Sequence, residues 1–161
     1  MPLRTSIWRT ATRRSALLLV TIAALALAAP RAPKAPLPIY VDGHGIAISG
    51  YDVVSYFEAG EPQKGKAGLK AEFRGATFLF SSADNRDRFL AAPEQFVPQF
   101  GGYCAFAMGK GQVRKCDPKR FSLKDGKLYL FSGGAAKQEW EKDENGLLSR
   151  AIEFWRGLFP G

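Results

Sequence analysis

The chain has 161 residues, a formal net charge of +8 and 46% hydrophobic residues, which suits one domain whose core is large enough to fold without disulfides or metals. Its two cysteines stand twelve residues apart and it has one histidine, so it lacks a thioredoxin-like Cys-x-x-Cys pair and cannot supply a blue-copper centre from its own side chains. It also has no Gly-x-Ser-x-Gly elbow, which argues against a hydrolase of the Ser-His-Asp type.

The N-terminal segment has the pattern of a secretory signal peptide. Four arginines and no acidic residue precede an apolar run of 14 residues, Ala16 to Ala29, and Ala26 and Ala28 fit the cleavage rule. We therefore predict a signal peptide over residues 1–28, cut after Ala28, and a periplasmic or otherwise exported protein. Thr12 to Leu18 resembles the twin-arginine export signal, and an ordinary secretory signal with an arginine pair is the alternative. The apolar run is shorter than the roughly 20 residues that cross a bilayer, so no stable membrane span is expected after cleavage.

The first part of the exported chain is predicted to be an extended linker. Residues 29–38 contain four prolines, and the folded domain is expected to span residues 39–161. Two short strands, 39–41 and 46–48, are predicted on either side of a turn that contains His44. After them, Asp52 is placed to cap a short helix.

A hairpin and further helical turns follow, and the tightest turn signal is the Asp125-Gly126 pair, which suits a two-residue hairpin loop. Apolar residues at helical spacing predict that Phe89 and Leu90 face the core, and that the last helix packs on the sheet. The predicted strands are Lys70–Phe73, Thr77–Phe80, Phe121–Leu123 and Lys127–Phe131. The predicted helices are Ala83–Ala91, which Ser82 caps, a turn that begins at Pro93, and then Tyr103–Met108, Ala135–Glu144 and Leu147–Leu158. The apolar positions of the last helix are Leu148, Ala151, Ile152 and Trp155. This order predicts an α+β fold, a small antiparallel sheet of hairpins packed by short helices and a C-terminal helical pair.

Much of the positive charge lies in one segment. Between Lys110 and Lys124 there are six cationic residues and one acidic residue, Asp117. A nucleic-acid partner is not expected for an exported protein. An anionic lipid surface or ligand and a simple solvated face are the open interpretations. We expect a monomer, and a protein partner is left open.

The soft side chains form the candidate metal site. Cys104 and Met108 are four residues apart and would share one face of a helical turn, and Cys116 lies within the basic segment, whose cations would favour its thiolate. Thiolate and thioether ligands select Cu(I), so Cys104, Met108 and Cys116, with His44 as an optional ligand, predict a copper site. The alternatives are a Cys104–Cys116 disulfide, two unpaired thiols, a Met108 that belongs to the core and a His44 exposed in its turn.

Four segments resemble, in order, the motifs of exported YHS-domain proteins: Gly50–Phe57, Phe80–Arg86, Gly101–Ala105 and Asp125–Leu130. The resemblance extends from about Ile46 to Trp155. The wider YHS and TRASH-like group binds metals through cysteines, but Ser81 and Asn85 occupy the matching positions here, so that site is not implied for this chain. The exported branch has a cysteine after Gly-Gly-Tyr, and some relatives have selenocysteine there. The resemblance therefore points to Cys104, whereas Cys116 is not part of the shared pattern.

These observations lead to three hypotheses. The first is an exported YHS-domain binding module, not an enzyme, that binds or handles copper at Cys104. The second is a thiol redox protein that uses Cys104 as its reactive thiol and Cys116 as the resolving one. The third is a structural or partner-binding domain with inert thiols.

Overall fold

The computed structural model describes residues 38–58 and 60–160, which lie in one compact unit, Lys34–Gly161. The predicted signal peptide and all of the predicted linker except Pro38 lie outside the described residues. The elements in chain order are β1 (Tyr51–Asp52), α1 (Ser55–Glu58), β2 (Gln63–Lys64), β3 (Lys66–Phe73), β4 (Ala76–Phe80), α2 (Ala83–Ala91), α3 (Pro93–Phe96), α4 (Ala105–Gly109), β5 (Asp117–Lys124), β6 (Lys127–Phe131), α5 (Gly134–Lys142) and α6 (Glu144–Leu158).

The fold is α+β, as predicted. Within the described residues the strands form three separate antiparallel pairs, β1 with β2, β3 with β4, and β5 with β6. The β5–β6 hairpin confirms the tight-turn prediction, because Lys124 faces Lys127 and both loop residues between them have positive φ, 51° at Asp125 and 69° at Gly126. Positive φ at both positions is the geometry that matches the twist of the flanking strands.

The β3–β4 hairpin and α2 form as predicted, but one residue of α2 that was predicted to face the core is exposed. Ser82 caps α2, since its Oγ accepts the Asn85 N–H at 3.1 Å. Phe89 is buried against the rings of Phe73, Phe78 and Phe80. The expectation that Leu90 also faces inward is wrong, because Leu90 is 57% exposed. Successive helical residues point about 100° apart, so Leu90 points away from the β3–β4 hairpin when Phe89 faces it.

The two strands predicted at 39–41 and 46–48 are reduced to single bridges. Val41 pairs with Ala47, and Ile46 pairs with Thr77 of β4. The Asp42 carboxylate tightens the turn between them, because its Oδ1 accepts the N–H groups of both His44 and Ile46.

The second strand is also cut short by an unusual turn at its C-terminal end. From Ile48 to Gly50 the backbone has positive φ at three consecutive residues, a conformation that is uncommon for a β-branched residue such as Ile48. An extended strand cannot continue through this conformation, so the predicted strand ends here.

The last helix has a different partner from the one predicted. Helix α6 packs chiefly against α4 and not on the sheet. Leu147 and Ala151 are its buried residues, whereas Ile152, predicted to pack, is 36% exposed. The close approach depends on Gly109 at the end of α4, since a Cβ there would lie 2.8 Å from the Leu147 carbonyl oxygen. Of the residues predicted to pack, Ala151 is buried, whereas Leu148 and Trp155 are half-buried. Spacing alone therefore identified only part of the buried side of α6, and not the element that it covers.

The buried apolar residues form two clusters. The first lies around β3, β4 and α2, and the second is formed by α4, β6, α5 and α6. Cys116 belongs to the first cluster and Cys104 to the second, so the candidate site lies where the two clusters meet. In the part of the chain that the structure describes, no helix combines the length and the apolar character needed to cross a bilayer.

Candidate functional site: a buried thiol pair

A left-handed turn leads into Cys104. Phe100, Gly101 and Gly102 have φ values of 54°, 58° and 86°. The Gly101 carbonyl accepts the Tyr40 N–H at 2.8 Å, so the turn is fastened to the start of the described chain. Two residues after Gly102, Cys104 forms a parallel bridge with Leu130 of β6. The glycine pair therefore brings the backbone close enough to its neighbours to set Cys104 beside the sheet.

Cys104 is completely buried. It immediately precedes α4, and its carbonyl accepts the Met108 N–H at 3.0 Å. Its own N–H donates to the Arg114 carbonyl at 3.0 Å, which closes the loop that connects α4 to β5. That hydrogen bond brings the segment just before Cys116 against Cys104. The two cysteines, twelve residues apart in sequence, are thereby neighbours in the fold.

Cys116 is buried, with 8% exposure, and its thiol is held in the protonated form. The pKa of Cys116 is raised to about 12, mainly by burial and to a smaller extent by the negative charge that Cys104 would carry. The second cause shows that the two thiols lie within electrostatic reach of each other. The prediction that nearby cations favour a Cys116 thiolate is wrong, because Arg114 and Lys115 are exposed to solvent and desolvation dominates.

The other two predicted ligands have different locations. Met108 is completely buried, belongs to the same apolar cluster as Cys104 and follows it by one helical turn. His44 is exposed in the turn at residues 42–45, where its N–H donates to the Asp42 Oδ1. In the described chain, residues 38–58 and 60–160, three or more His, Cys, Asp or Glu side chains do not gather into a metal-binding group. The structure thus brings Cys104, Cys116 and Met108 to one region and leaves His44 outside it.

Both cysteines are free thiols in this structure. The loop at residues 110–115, whose six residues are all exposed, runs from the end of α4 to Cys116 and is tied to Cys104 through the Arg114 carbonyl. Backbone hydrogen bonds from Lys110, Gly111 and Gln112 to carbonyls of α4 hold this loop in place. Because Cys104 is completely buried and Cys116 nearly so, a metal ion or an oxidant can reach the thiols only if the surrounding structure moves.

We expect Cys116 to react very slowly with alkylating reagents while the protein is folded. A pKa of about 12 in place of 9.0 lowers the thiolate fraction at pH 8 about a thousandfold, and burial restricts access further. The measurement is the rate of iodoacetamide labelling of the Cys104→Ala variant, native and in urea, followed by mass spectrometry. A native rate within tenfold of the rate in urea would contradict the burial of Cys116.

A second polar cluster was not predicted as a unit. Asp52 is completely buried, and its Oδ2 accepts three hydrogen bonds, from the Ser81 N–H, the Ser81 Oγ and the Asn85 Nδ2, at 2.6–2.8 Å. Its Oδ1 accepts the Val54 N–H at 2.9 Å, which is the capping contact predicted for Asp52. Asn85 therefore does more than begin a helix. Ser81 and Asn85 serve here as donors to a buried carboxylate that connects β1 to the end of β4 and to α2.

The sequence contained a signal for this cluster. Asp52 is flanked by Tyr51, Val53 and Val54. An acid set among apolar residues indicates that hydrogen-bond donors are buried beside it, because buried polar groups are nearly always paired. No family model matches the chain, and no curated protein and no solved structure matches it either.

Proposed function

We propose that the protein is an exported binding module of the YHS type that takes up Cu(I) through Cys104 and Cys116, with Met108 as a third soft ligand. The single observation that carries this proposal is that Cys104 and Cys116 are both buried and that the Cys104 N–H, by donating to the Arg114 carbonyl at 3.0 Å, draws the segment of Cys116 against Cys104. Two adjacent thiolates and a thioether are the donor set that favours Cu(I) over harder divalent ions.

The buried position of the thiols supports a binding role over a redox role. A resolving cysteine attacks as a thiolate, and a Cys116 with a pKa of about 12 is almost entirely protonated at neutral pH. A metal ion can instead displace the thiol protons and supply the positive charge that the buried thiolates lack. The apolar surroundings would then exclude water and competing oxygen ligands.

The direct test is a titration of the reduced mature protein with Cu(I) in the presence of a competing chromogenic chelator. We expect one equivalent to bind, with at least a hundredfold weaker affinity in Cys104→Ser and Cys116→Ser. Met108→Leu, which conserves volume, should weaken binding about tenfold. The matched control is His44→Ala, which removes an exposed side chain and should leave the affinity unchanged.

Two results would overturn the proposal. One is no Cu(I) uptake by the folded, reduced protein. The other is an unchanged affinity in Cys104→Ser at full occupancy. Thermal unfolding of each variant without copper separates a lost ligand from a lost fold.

A second candidate is a partner-binding domain whose thiols serve only to pack the core. The complete burial of Cys104 supports it, since free cysteine behaves as a small apolar side chain. This candidate predicts no Cu(I) uptake and a Cys104→Ala variant that is destabilised by about 1 kcal/mol yet otherwise unchanged. The copper titration therefore distinguishes the two candidates.

A further inference from the structure

A cleft of about 600 Å³ lies beside α4, on the side of the loop at residues 110–115 and the start of α5. Its volume falls within the range of ordinary small-molecule sites. Phe106 and Ala107 of α4 and Ala135 and Ala136 of α5 form its apolar wall. The small side chains on α5 leave the space open, and the Phe106 ring offers a flat surface to an apolar group.

Two cations, Lys110 and Arg114, line this cleft. Lys110 and Arg114 form no ion pair with any residue in the ranges 38–58 and 60–160. Lys110 lies over the Phe106 ring, 5.7 Å from its centroid. Glu139 is the acidic residue of the lining, and its charge is balanced by Lys142 at 2.5 Å. The cleft is therefore electropositive.

Lys110 also acts on the charge of Asp143, an acid that lies outside the cleft. Lys110 contributes to the lowered pKa of Asp143, but the main cause is the hydrogen bond from Arg150, with which Asp143 forms an ion pair at 2.9 Å. Asp143 does not line the cleft. The positive charge of Lys110 is thus left available to an incoming anion.

The beginning of α5 adds to the effect of the two cations. Gly133 precedes this nine-residue helix and lines the cleft. It provides no side-chain cap, and the first turn of the helix has no acidic residue. Backbone N–H groups at a helix start favour negative charge. This contribution is secondary to the cavity and its two unpaired cations.

We propose that this cleft binds an organic anion, in which a carboxylate or phosphate group is attached to an apolar body such as an aromatic ring. Lys110 and Arg114 hold the anionic group, and Arg114 can engage it with two parallel hydrogen bonds. The apolar body packs on Phe106 and the alanines of α5. This site is separate from the thiol pair, so its occupancy does not depend on the copper proposal.

The test is calorimetric titration of the mature protein with phenyl phosphate at low ionic strength. Inorganic phosphate and benzyl alcohol represent the two halves of the ligand, and vesicles containing phosphatidylglycerol test the alternative of an anionic membrane. We expect phenyl phosphate to bind one site at least tenfold more tightly than either half. Vesicle binding without phenyl phosphate binding, or equal affinity for inorganic phosphate, would overturn the proposal.

Charge variants locate the site. Arg114→Gln and Lys110→Gln should each weaken phenyl phosphate binding five- to tenfold. The matched controls are Lys115→Gln and Lys119→Gln, which remove the same charge from exposed positions of the same segment that do not line the cleft, and these should change affinity less than twofold. Equal losses in the controls would show only general attraction of anions and would overturn the site.

Two further variants keep the test independent of folding defects. Ala135→Leu fills the cleft without changing charge and should abolish binding. Glu139→Gln removes the acidic group of the lining and should tighten binding about threefold, a gain that a damaged fold does not produce. Weaker binding in Glu139→Gln would contradict the electrostatic basis of the proposal.

Discussion

Replacing Asp52 by alanine should lower the free energy of unfolding by about 4 kcal/mol, because four donors inside the domain lose the carboxylate that accepts their hydrogen bonds. Those donors are the Val54 N–H, the Ser81 N–H and Oγ, and the Asn85 Nδ2. Asp52→Asn keeps the shape of the side chain but turns an NH₂ group toward one of them, and should cost about 2 kcal/mol. Urea unfolding followed by tryptophan fluorescence measures both changes.

The matched control for Asp52 is another carboxylate that accepts backbone N–H groups. Asp42→Asn keeps an acceptor oxygen for His44 and Ile46 in an exposed turn, so its unfolding free energy should change by less than about 0.5 kcal/mol. An Asp52→Ala protein whose unfolding free energy stays within the same limit would show that the buried cluster adds nothing to stability. The Asp52 variants should leave the thiol pair and the anion cleft in place wherever the protein remains folded.

Substituting Gly101 by alanine should destabilise the fold by roughly 3 kcal/mol or more. Its backbone has a φ of 58°, and a Cβ there would lie 2.8 Å from the carbonyl carbon of Pro38 and closer still to its oxygen. The obstruction is backbone, which cannot move aside as a side-chain end can. The same substitution should displace Cys104, so Cu(I) affinity should fall together with stability.

Gly111→Ala separates the two causes of this effect. Gly111 has a φ of 69°, but a Cβ there would meet no atom within 4 Å. It should therefore show only the cost of the left-handed backbone, about 1 kcal/mol. Denaturant unfolding of both variants gives the difference. If Gly101→Ala were no more harmful than Gly111→Ala, the close approach to Pro38 would have no energetic weight.

Local chemistry made most of the elements predictable. The Asp125-Gly126 turn, the Ser82 cap and the helix start at Pro93 each depend on a few neighbouring residues, and each was confirmed. The predictions that failed concern what an element faces. Leu90 and Ile152 have the right character for a core, but each is exposed because its neighbour along the helix, Phe89 or Ala151, takes the buried position.

The candidate site was predictable in part. Cys104 was singled out from its Gly-Gly-Tyr setting and Met108 from its helical spacing, and both are buried in one cluster. The protonated state of Cys116 was not predictable, because in sequence its neighbours are cations, and only the fold turns their side chains to solvent while the sulfur faces the core. The three-residue left-handed turns also left no clear pattern in the chain.

The sequence by itself determined the α+β class, the hairpins, the helix starts and the short inventory of soft ligands, because these depend on residue types and their close spacing. Only the tertiary structure decided that Cys104 and Cys116 are neighbours, that His44 is not, and that Asp52 joins Ser81 and Asn85. The physical reason is that burial and long-range contact set protonation, access and partner choice. None of these is a property of a residue and its neighbours in the chain.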